Sequence, residues 1–208
     1  MKTDRAPLFV AIVGGSGSGK TWLAQRLHAA LGRKAGRLSL DDFYRDQSHV
    51  TPAVRARINF DHPRAIDWER LESVLRDLLA GRTARLPAYD FKTHCRVKRV
   101  AALKPAEILL VEGLWLLRRP SLRRLFGYKV FVNCPMNTRL QRRLARDLIS
   151  RGRTPASVRR QFRATVQPMH RRFVESQKRW ADLVVPHDFA LSQARDLART
   201  LQRLTRRS

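Results

Sequence analysis

The run Gly14-Gly15-Ser16-Gly17-Ser18-Gly19-Lys20-Thr21 satisfies the pattern GxxxxGK[ST]. Glycines at these spacings let successive backbone N–H groups converge on phosphate oxygens with no Cβ in the way. The start of a following helix adds a positive field. In that setting Lys20 reaches the β- and γ-phosphates, and the Thr21 hydroxyl is a ligand for Mg²⁺. The same letters can also spell a flexible Gly/Ser turn, so the surroundings decide. An apolar run, LFVAIVGG, precedes the glycines, and a segment of helical period, TWLAQRLHAALG, follows them. Strand, glycine loop and helix together predict a nucleotide-binding P-loop.

Two acidic stretches supply the rest of the chemistry. Glu112 ends ILLVEG, where four apolar residues deliver a carboxylate to the C-terminal edge of a sheet. Ligands of open α/β sheets sit at that edge, which makes Glu112 the expected acidic partner of the metal; the alternative is a cap on the next turn. In SLDDFYRD, Asp41 and Asp42 follow a second apolar run, RLSL. If the P-loop follows the first strand, this pair emerges on the same edge, near the γ-phosphate. Side chains alternate along an extended chain, so one of the two faces the site and the other does not. A carboxylate there suits phosphoryl transfer to an alcohol, because it takes the hydroxyl proton as the oxygen attacks phosphorus. Capping of a helix start is the plainer alternative.

These groups need a scaffold. LFVAIVGG (8–15), RLSL (37–40), AEILLVEGLWLL (106–117), YKVFVNCP (128–135) and LVVP (183–186) read as buried strands. Between them lie helical patterns at 21–32, 66–81, 137–153 and 155 to about 178, and a closing amphipathic helix, ALSQARDLARTLQRLTRR. In the second of these, Asp67 is the expected N-cap and Gly81 the stop. Strands alternating with helices predict an α/β, three-layer P-loop fold, a five-stranded parallel sheet with helices on both faces. RTARLPAYDFKTHCRVKRV alternates like a β-hairpin, giving a flap over 82–100, and the basic helices form a lid over 137–178. The segment 45–66 reads as loop with a short helix. At 208 residues with 43% hydrophobic content, the chain fits one domain, 1–208.

Composition narrows the function classes. No stretch approaches the ~18 apolar residues of a membrane span, and MKTDRAPLFVAIVGG lacks the apolar core of a cleavable leader. Cys95 and Cys134 have neither CxxC nor metal-ligand spacing, which points to reduced thiols in a cytoplasmic protein. The net charge is +26, from 43 basic and 17 acidic residues, and only eight of the basic residues are Lys. Polyanion binding is one reading of that excess. General use of Arg on the surface is the other, and the scatter of the arginines along the helices favours it. Either suits an enzyme that handles phosphorylated substrates. No helix-turn-helix, zinc-ligand or RNP-like sequence is present, so a nucleic-acid partner is disfavoured at this level.

SLDDFYR, NFDHPRAIDW (59–68), LPAYDFKTHCR (86–96), VEG (111–113), RRLARDLISRGR (142–153) and QPMHRRFVESQKRWADLVVP (167–186) occur in the order seen in uridine kinases, and from residue 8 to 186 the chain resembles that family. The family phosphorylates the 5′-hydroxyl of uridine and cytidine, in pyrimidine salvage, with Mg²⁺ and ATP or GTP. The resemblance implies that Asp41 is the catalytic base and that Tyr44 lines the nucleoside pocket. It implies that Asp61 accepts hydrogen bonds from the ribose hydroxyls, that Tyr89 and Phe91 stack on the pyrimidine, and that His94 bonds its edge. Arg143 and Gln161 would contact the nucleoside, while Arg146, Arg151 and Arg153 would close over the phosphates. A nucleoside and a nucleoside triphosphate are the implied partners, with no membrane, and a homotetramer is the implied assembly.

Blander readings stand beside these: a turn acid for Asp61, core aromatics for Tyr89 and Phe91, a surface imidazole for His94. Arg139, Arg143 and Arg146 lie three and four apart, so they share a helix face able to close over a triphosphate. The chain departs from the family at Asn133-Cys134-Pro135-Met136-Asn137, where amides stand in place of two acids. A kinase of another alcohol, of the nicotinamide riboside, phosphoribulose or pantothenate type, is the nearest rival. The aromatics and the histidine of PAYDFKTHCR favour a flat base over a sugar phosphate.

Overall fold

The computed structural model describes residues 6–55 and 57–207. Residues 1–5 of the stretch read above for a leader lie outside the described residues. Along the chain the elements are β1 (Leu8–Gly14), α1 (Lys20–Leu31), β2 (Ala35–Ser39), α2 (Pro52–Arg55), α3 (Trp68–Leu79), β3 (Ala84–Asp90), β4 (Cys95–Leu103) and β5 (Ile108–Gly113). Then come α4 (Pro120–Arg123), β6 (Tyr128–Asn133), α5 (Met136–Arg151), α6 (Pro155–Gln161), α7 (Gln167–Met169), β7 (Leu183–Pro186) and α8 (Leu191–Arg207).

Five strands form one sheet in the order β2-β5-β1-β6-β7, all paired in parallel, as the alternation of strands and helices predicts. The two-residue period of a strand explains how one central strand serves two cores. In β1, Phe9, Ala11 and Val13 join Leu71, Val74, Leu75 and Leu78 of α3 on one face. Val10 and Ile12 join Leu23 and Leu27 of α1 and Leu197 and Leu201 of α8 on the other. Burial on both faces accounts for unbroken apolar runs where an alternating pattern would otherwise appear.

Three departures from the sequence-based expectations have physical causes. First, β2 ends at Ser39, and Leu40–Phe43 is a 3₁₀ turn instead of extended chain. The Ser39 hydroxyl accepts the Asp41 amide at 3.3 Å and so starts that turn. Second, β5 ends at Gly113 and does not continue to residue 117. A Cβ at Gly113 would lie 2.5 Å from the Leu40 Cβ, so the chain can pass there only without a side chain. Third, the helix expected from 155 to about 178 is not regular. It runs through α6, a π turn at Phe162–Val166, α7, a second π turn at His170–Val174 and a 3₁₀ end at Glu175–Trp180. Pro168 removes an amide donor in the middle of the run, and the ladder widens on either side of it.

The flap is an antiparallel pair running from Ala84↔Leu103 to Asp90↔Cys95, so it begins and ends slightly later than the expected 82–100. Its register shifts between Leu86 and Ala88, at Pro87, which has no N–H to donate. Asp67 caps α3 by accepting the Arg70 amide at 3.1 Å, and its other oxygen takes Arg96 of the flap at 2.8 Å. The cap of a core helix therefore also anchors the flap.

Candidate active site

The loop between β1 and α1 approaches α5 closely. Gly17 has φ +80, and a Cβ there would sit 2.5 Å from the Arg139 carbonyl oxygen. Only glycine fits both the backbone angle and the space. Lys20 is buried at the start of α1.

A cavity of about 870 Å³ opens above this loop. Ser16 and Lys20 line it with Asp41, Tyr44 and Asp61, with Tyr89, Phe91 and His94 of the flap, and with Arg143, Arg146, Arg151, Arg153 and Gln161 of the lid. Sequence-distant candidates from the P-loop, the strand ends, the flap and the lid thus meet in one place. Gly14, Gly15, Gly17, Ser18, Gly19, Thr21 and Glu112 do not line the cavity.

Thr21 and Glu112 are joined instead. The Thr21 hydroxyl donates to Glu112 Oε1 at 3.0 Å, and the Ser39 hydroxyl donates to the same atom at 3.1 Å. Glu112 Oε2 is buried and has no partner. Burial raises the Glu112 pKa, the nearby Lys20 ammonium opposes that, and Asp41 adds to it. A hydroxyl and a carboxylate with a spare oxygen are the hard donors that suit Mg²⁺, which is commonly held by one or two protein groups plus phosphate oxygens. The residues present therefore fit the ion that the P-loop implies. Among the described residues no three His, Cys, Asp or Glu side chains gather to hold a metal by themselves.

Of the aspartate pair, Asp41 lines the cavity and Asp42 does not. One of the two faces the site as expected, although the backbone is a 3₁₀ turn and strand alternation is not the reason. Burial first, then the charges of Asp41 and Glu112, push the Asp42 carboxyl up to about 6, with Arg37 opposing.

The flap end of the cavity is aromatic. Tyr44 and Tyr89 lie 5.1 Å apart centroid to centroid, Tyr89 and Phe91 5.2 Å, and Tyr44 and Phe91 5.9 Å. His94 has φ +56 in the flap turn and stacks on Phe60 at 4.1 Å, with its Nδ1 3.5 Å from the Tyr89 hydroxyl. Burial, then the positive field of Arg151, Arg55 and Arg153, lowers the His94 pKa. The imidazole is thereby kept neutral, with one donor and one acceptor nitrogen.

The lid arginines divide by position. Arg143 is 4% exposed and donates to Ser16 Oγ at 3.0 Å and to Gln161 Oε1 at 2.9 Å. Asp61 lies 3.8 Å from the same guanidinium and accepts the Thr165 hydroxyl at 2.7 Å. Arg151, read above as a phosphate contact, lies over the Phe91 ring at 4.4 Å. Arg139, which shares the helical spacing of Arg143 and Arg146, does not line the cavity. It is 1% exposed, packed beneath the P-loop against Phe162 and bonded to Gln167. The expected face of three arginines is therefore split, with Arg139 acting as support for the loop.

Sequence reading missed the group that organises this arrangement. Asp147 is fully buried and lies 3.3 Å from Arg143, 2.8 Å from Arg146 and 3.6 Å from Arg151. A single acid in the basic run RRLARDLISRGR was the available signal. Phe60 and Thr165 were also missed; Phe60 stands beside Asp61 in the quoted block NFDHPRAIDW, and nothing local marks Thr165.

Residues 9–189 match the family described as Phosphoribulokinase / Uridine kinase. The chain is 38% identical to a uridine kinase of Clostridium perfringens over 183 residues, covering 88% of each. It is 41% identical to a uridine kinase of Chloroflexus aurantiacus over 181 residues, covering 86% of this chain and 87% of that one. The phosphoribulokinase of Rhodobacter spheroides superposes with a TM-score of 0.64 at 16% identity, covering 88% of this chain and 71% of that one, which is a likeness of fold. The family match runs over most of the chain and the curated relatives align with it over nearly nine-tenths of their own length, so the chain belongs to the phosphoribulokinase/uridine kinase family.

Proposed function

We propose that the protein transfers the γ-phosphate of ATP or GTP to the 5′-hydroxyl of uridine or cytidine. The observation that carries this reading is that one cavity holds the P-loop lysine, a strand-end aspartate and an aromatic flap. The sequence similarity to uridine kinases over nearly the whole chain supports the same conclusion.

In this reaction the acceptor oxygen attacks the γ-phosphorus and its proton passes to the Asp41 carboxylate. The bond from the γ-phosphorus to the β–γ bridging oxygen breaks, and the nucleoside diphosphate leaves. Lys20 and the P-loop amides hold the phosphates, and Arg146 and Arg153 meet the charge that develops on the transferring group. Thr21 and Glu112 would hold Mg²⁺, which when bound neutralises phosphate charge. Tyr44, Tyr89 and Phe91 give the pyrimidine a flat apolar wall, and neutral His94 offers its edge a hydrogen bond. Asp61 orients the ribose, since a carboxylate accepts from two hydroxyls at once. Closure of lid and flap excludes water and limits hydrolysis of the triphosphate.

The test is a panel of uridine, cytidine, nicotinamide riboside and ribulose 5-phosphate, each with ATP and with GTP, read as monophosphate or bisphosphate formed. Uridine or cytidine is the expected acceptor. Turnover of only a non-pyrimidine acceptor overturns the assignment.

A further inference from the structure

The cavity is lined by only seven of the 43 basic residues behind the net charge of +26. Arginines from separate stretches of the chain, none of them lining the cavity, lie over aromatic rings. Arg118 and Arg172 lie over the Phe173 ring at 4.6 and 5.1 Å. Arg123 and Arg179 lie over Trp180 at 4.1 and 4.3 Å, and Arg119 lies over Trp68 at 5.5 Å. His62 meets Phe173 edge-on at 4.9 Å, and the positive field of Arg64, Arg172 and Arg118 acts on its imidazole.

The Gln177 side chain joins the two stretches that carry these groups. It accepts the Leu117 amide at 2.9 Å and donates to Leu114 O at 2.8 Å and Phe173 O at 2.9 Å. Arg123 of the Trp180 group donates to Leu117 O at 3.1 Å, next to Arg118 of the Phe173 group, and Trp68 Nε1 donates to Pro63 O at 2.9 Å, next to His62, so the ring groups adjoin. None of these six arginines lines the cavity.

These cations are fixed by rings more than by acids. Glu72 takes Arg119 at 3.5 Å, but among the described residues Arg64, Arg118, Arg123, Arg172 and Arg179 form no ion pair. A guanidinium laid on an aromatic face loses rotamer freedom without losing its charge, and the N–H groups not already bonded remain for phosphate oxygens; Arg123 uses one of its own on Leu117 O at 3.1 Å. We propose that this face binds single-stranded RNA, with guanidinium edges on the phosphates and guanidinium planes stacked on bases. A membrane surface is less suited, because lipid anchoring needs several exposed apolar side chains, and among the described residues Val184 is the one large exposed apolar residue within five positions of those named here.

The experiment is fluorescence anisotropy of the full chain with labelled single-stranded RNA of about 20 nucleotides, at several salt concentrations. Neutralising about four phosphates gives a slope of log K against log salt of roughly −3. R118Q/R172Q/R179Q is expected to weaken binding by about tenfold or more and to reduce the slope by about 2. R33Q/R195Q/R203Q removes the same charge elsewhere and is expected to change affinity by less than about threefold. R118K/R172K/R179K keeps the charge but not the planes, and an intermediate loss is expected; this set also serves if the glutamine set fails to fold. Nucleoside phosphorylation should be unchanged in every set.

Equal losses in the two glutamine sets would reduce the effect to net charge and overturn the proposal. So would release of the RNA by saturating Mg²⁺·ATP, equally tight binding to anionic vesicles, or no binding at all. Failure of the kinase assignment would show in the acceptor panel and would leave these binding curves unaffected.

Discussion

Arg143 donates to the Ser16 hydroxyl of the P-loop at 3.0 Å while its other terminal nitrogen holds Gln161 of the lid at 2.9 Å. One buried guanidinium thus links the glycine loop to α6, the two parts proposed above to hold phosphate and to close on the acceptor. Replacing it by Lys keeps a charge but loses the fork that serves both partners. Arg143→Lys is expected to lower kcat/KM by roughly 10²-fold, a loss of about 2.7 kcal/mol of transition-state stabilisation. Steady-state kinetics with each substrate varied in turn will show the loss for both the triphosphate and the nucleoside. A defect confined to one of them would mean that Arg143 does not couple the two ends.

Asp41→Asn keeps the shape of the side chain and removes the proposed base. Turnover should fall by roughly 10²–10⁴. Calorimetric titration should still detect nucleoside binding. Near-normal turnover would place the base elsewhere, with Asp42 the next residue to test.

Glu112→Gln removes the carboxylate whose Oε2 is buried without a partner. The Mg²⁺ concentration for half-maximal rate should rise by about tenfold or more, as is usual when a metal-site carboxylate or its support is lost. The measurement is a metal titration at fixed ATP, and an unchanged midpoint would remove Glu112 from the metal site.

Asp147→Asn leaves the guanidinium groups of Arg143, Arg146 and Arg151 without their shared counter-charge. Loss of one partner of a buried ion pair costs about 3–5 kcal/mol, so urea unfolding should shift by an amount of that order. A shift of less than about 1 kcal/mol would mean that the arginines find other acceptors.

Asp42 gives a pH prediction with a definite sign. Its folded pKa, about 6, lies above its ordinary 3.8, so the folded protein binds more protons than the unfolded chain between those values. Stability linked to this group is complete below about pH 4 and is lost as the pH rises through 6. The side chain is partly solvated, which limits the effect to about 1–2 kcal/mol. Asp42→Asn should therefore be more stable than the parent at pH 7 and no more stable at pH 4, as measured by denaturant unfolding at both values.

The fold was legible wherever burial on both faces left an apolar run, as in LFVAIVGG and ILLVEG. Asp41, Asp61 and Tyr89 were found through short quoted blocks and Gln161 through the family resemblance, and the structure brings them into one cavity. The two π turns were not legible, because a single proline marks a break in a helix without saying how the ladder closes around it. Nor was the division of the lid arginines. Helical spacing places Arg139, Arg143 and Arg146 on one face, but only the tertiary fold shows that Arg139 is covered by the P-loop while Arg146 remains exposed. The arginine surface around Phe173 and Trp180 was hidden for a related reason, since its members come from three separate stretches of the chain.

The Arg151 guanidinium rests on Phe91, one of the rings proposed above to receive the pyrimidine. On that proposal an arriving base trades positions with Arg151, and a planar ring replaces what the phenyl face loses in the exchange. An aliphatic alcohol has no such surface to offer, so the proposed pocket would sort acceptors by shape through an internal competitor.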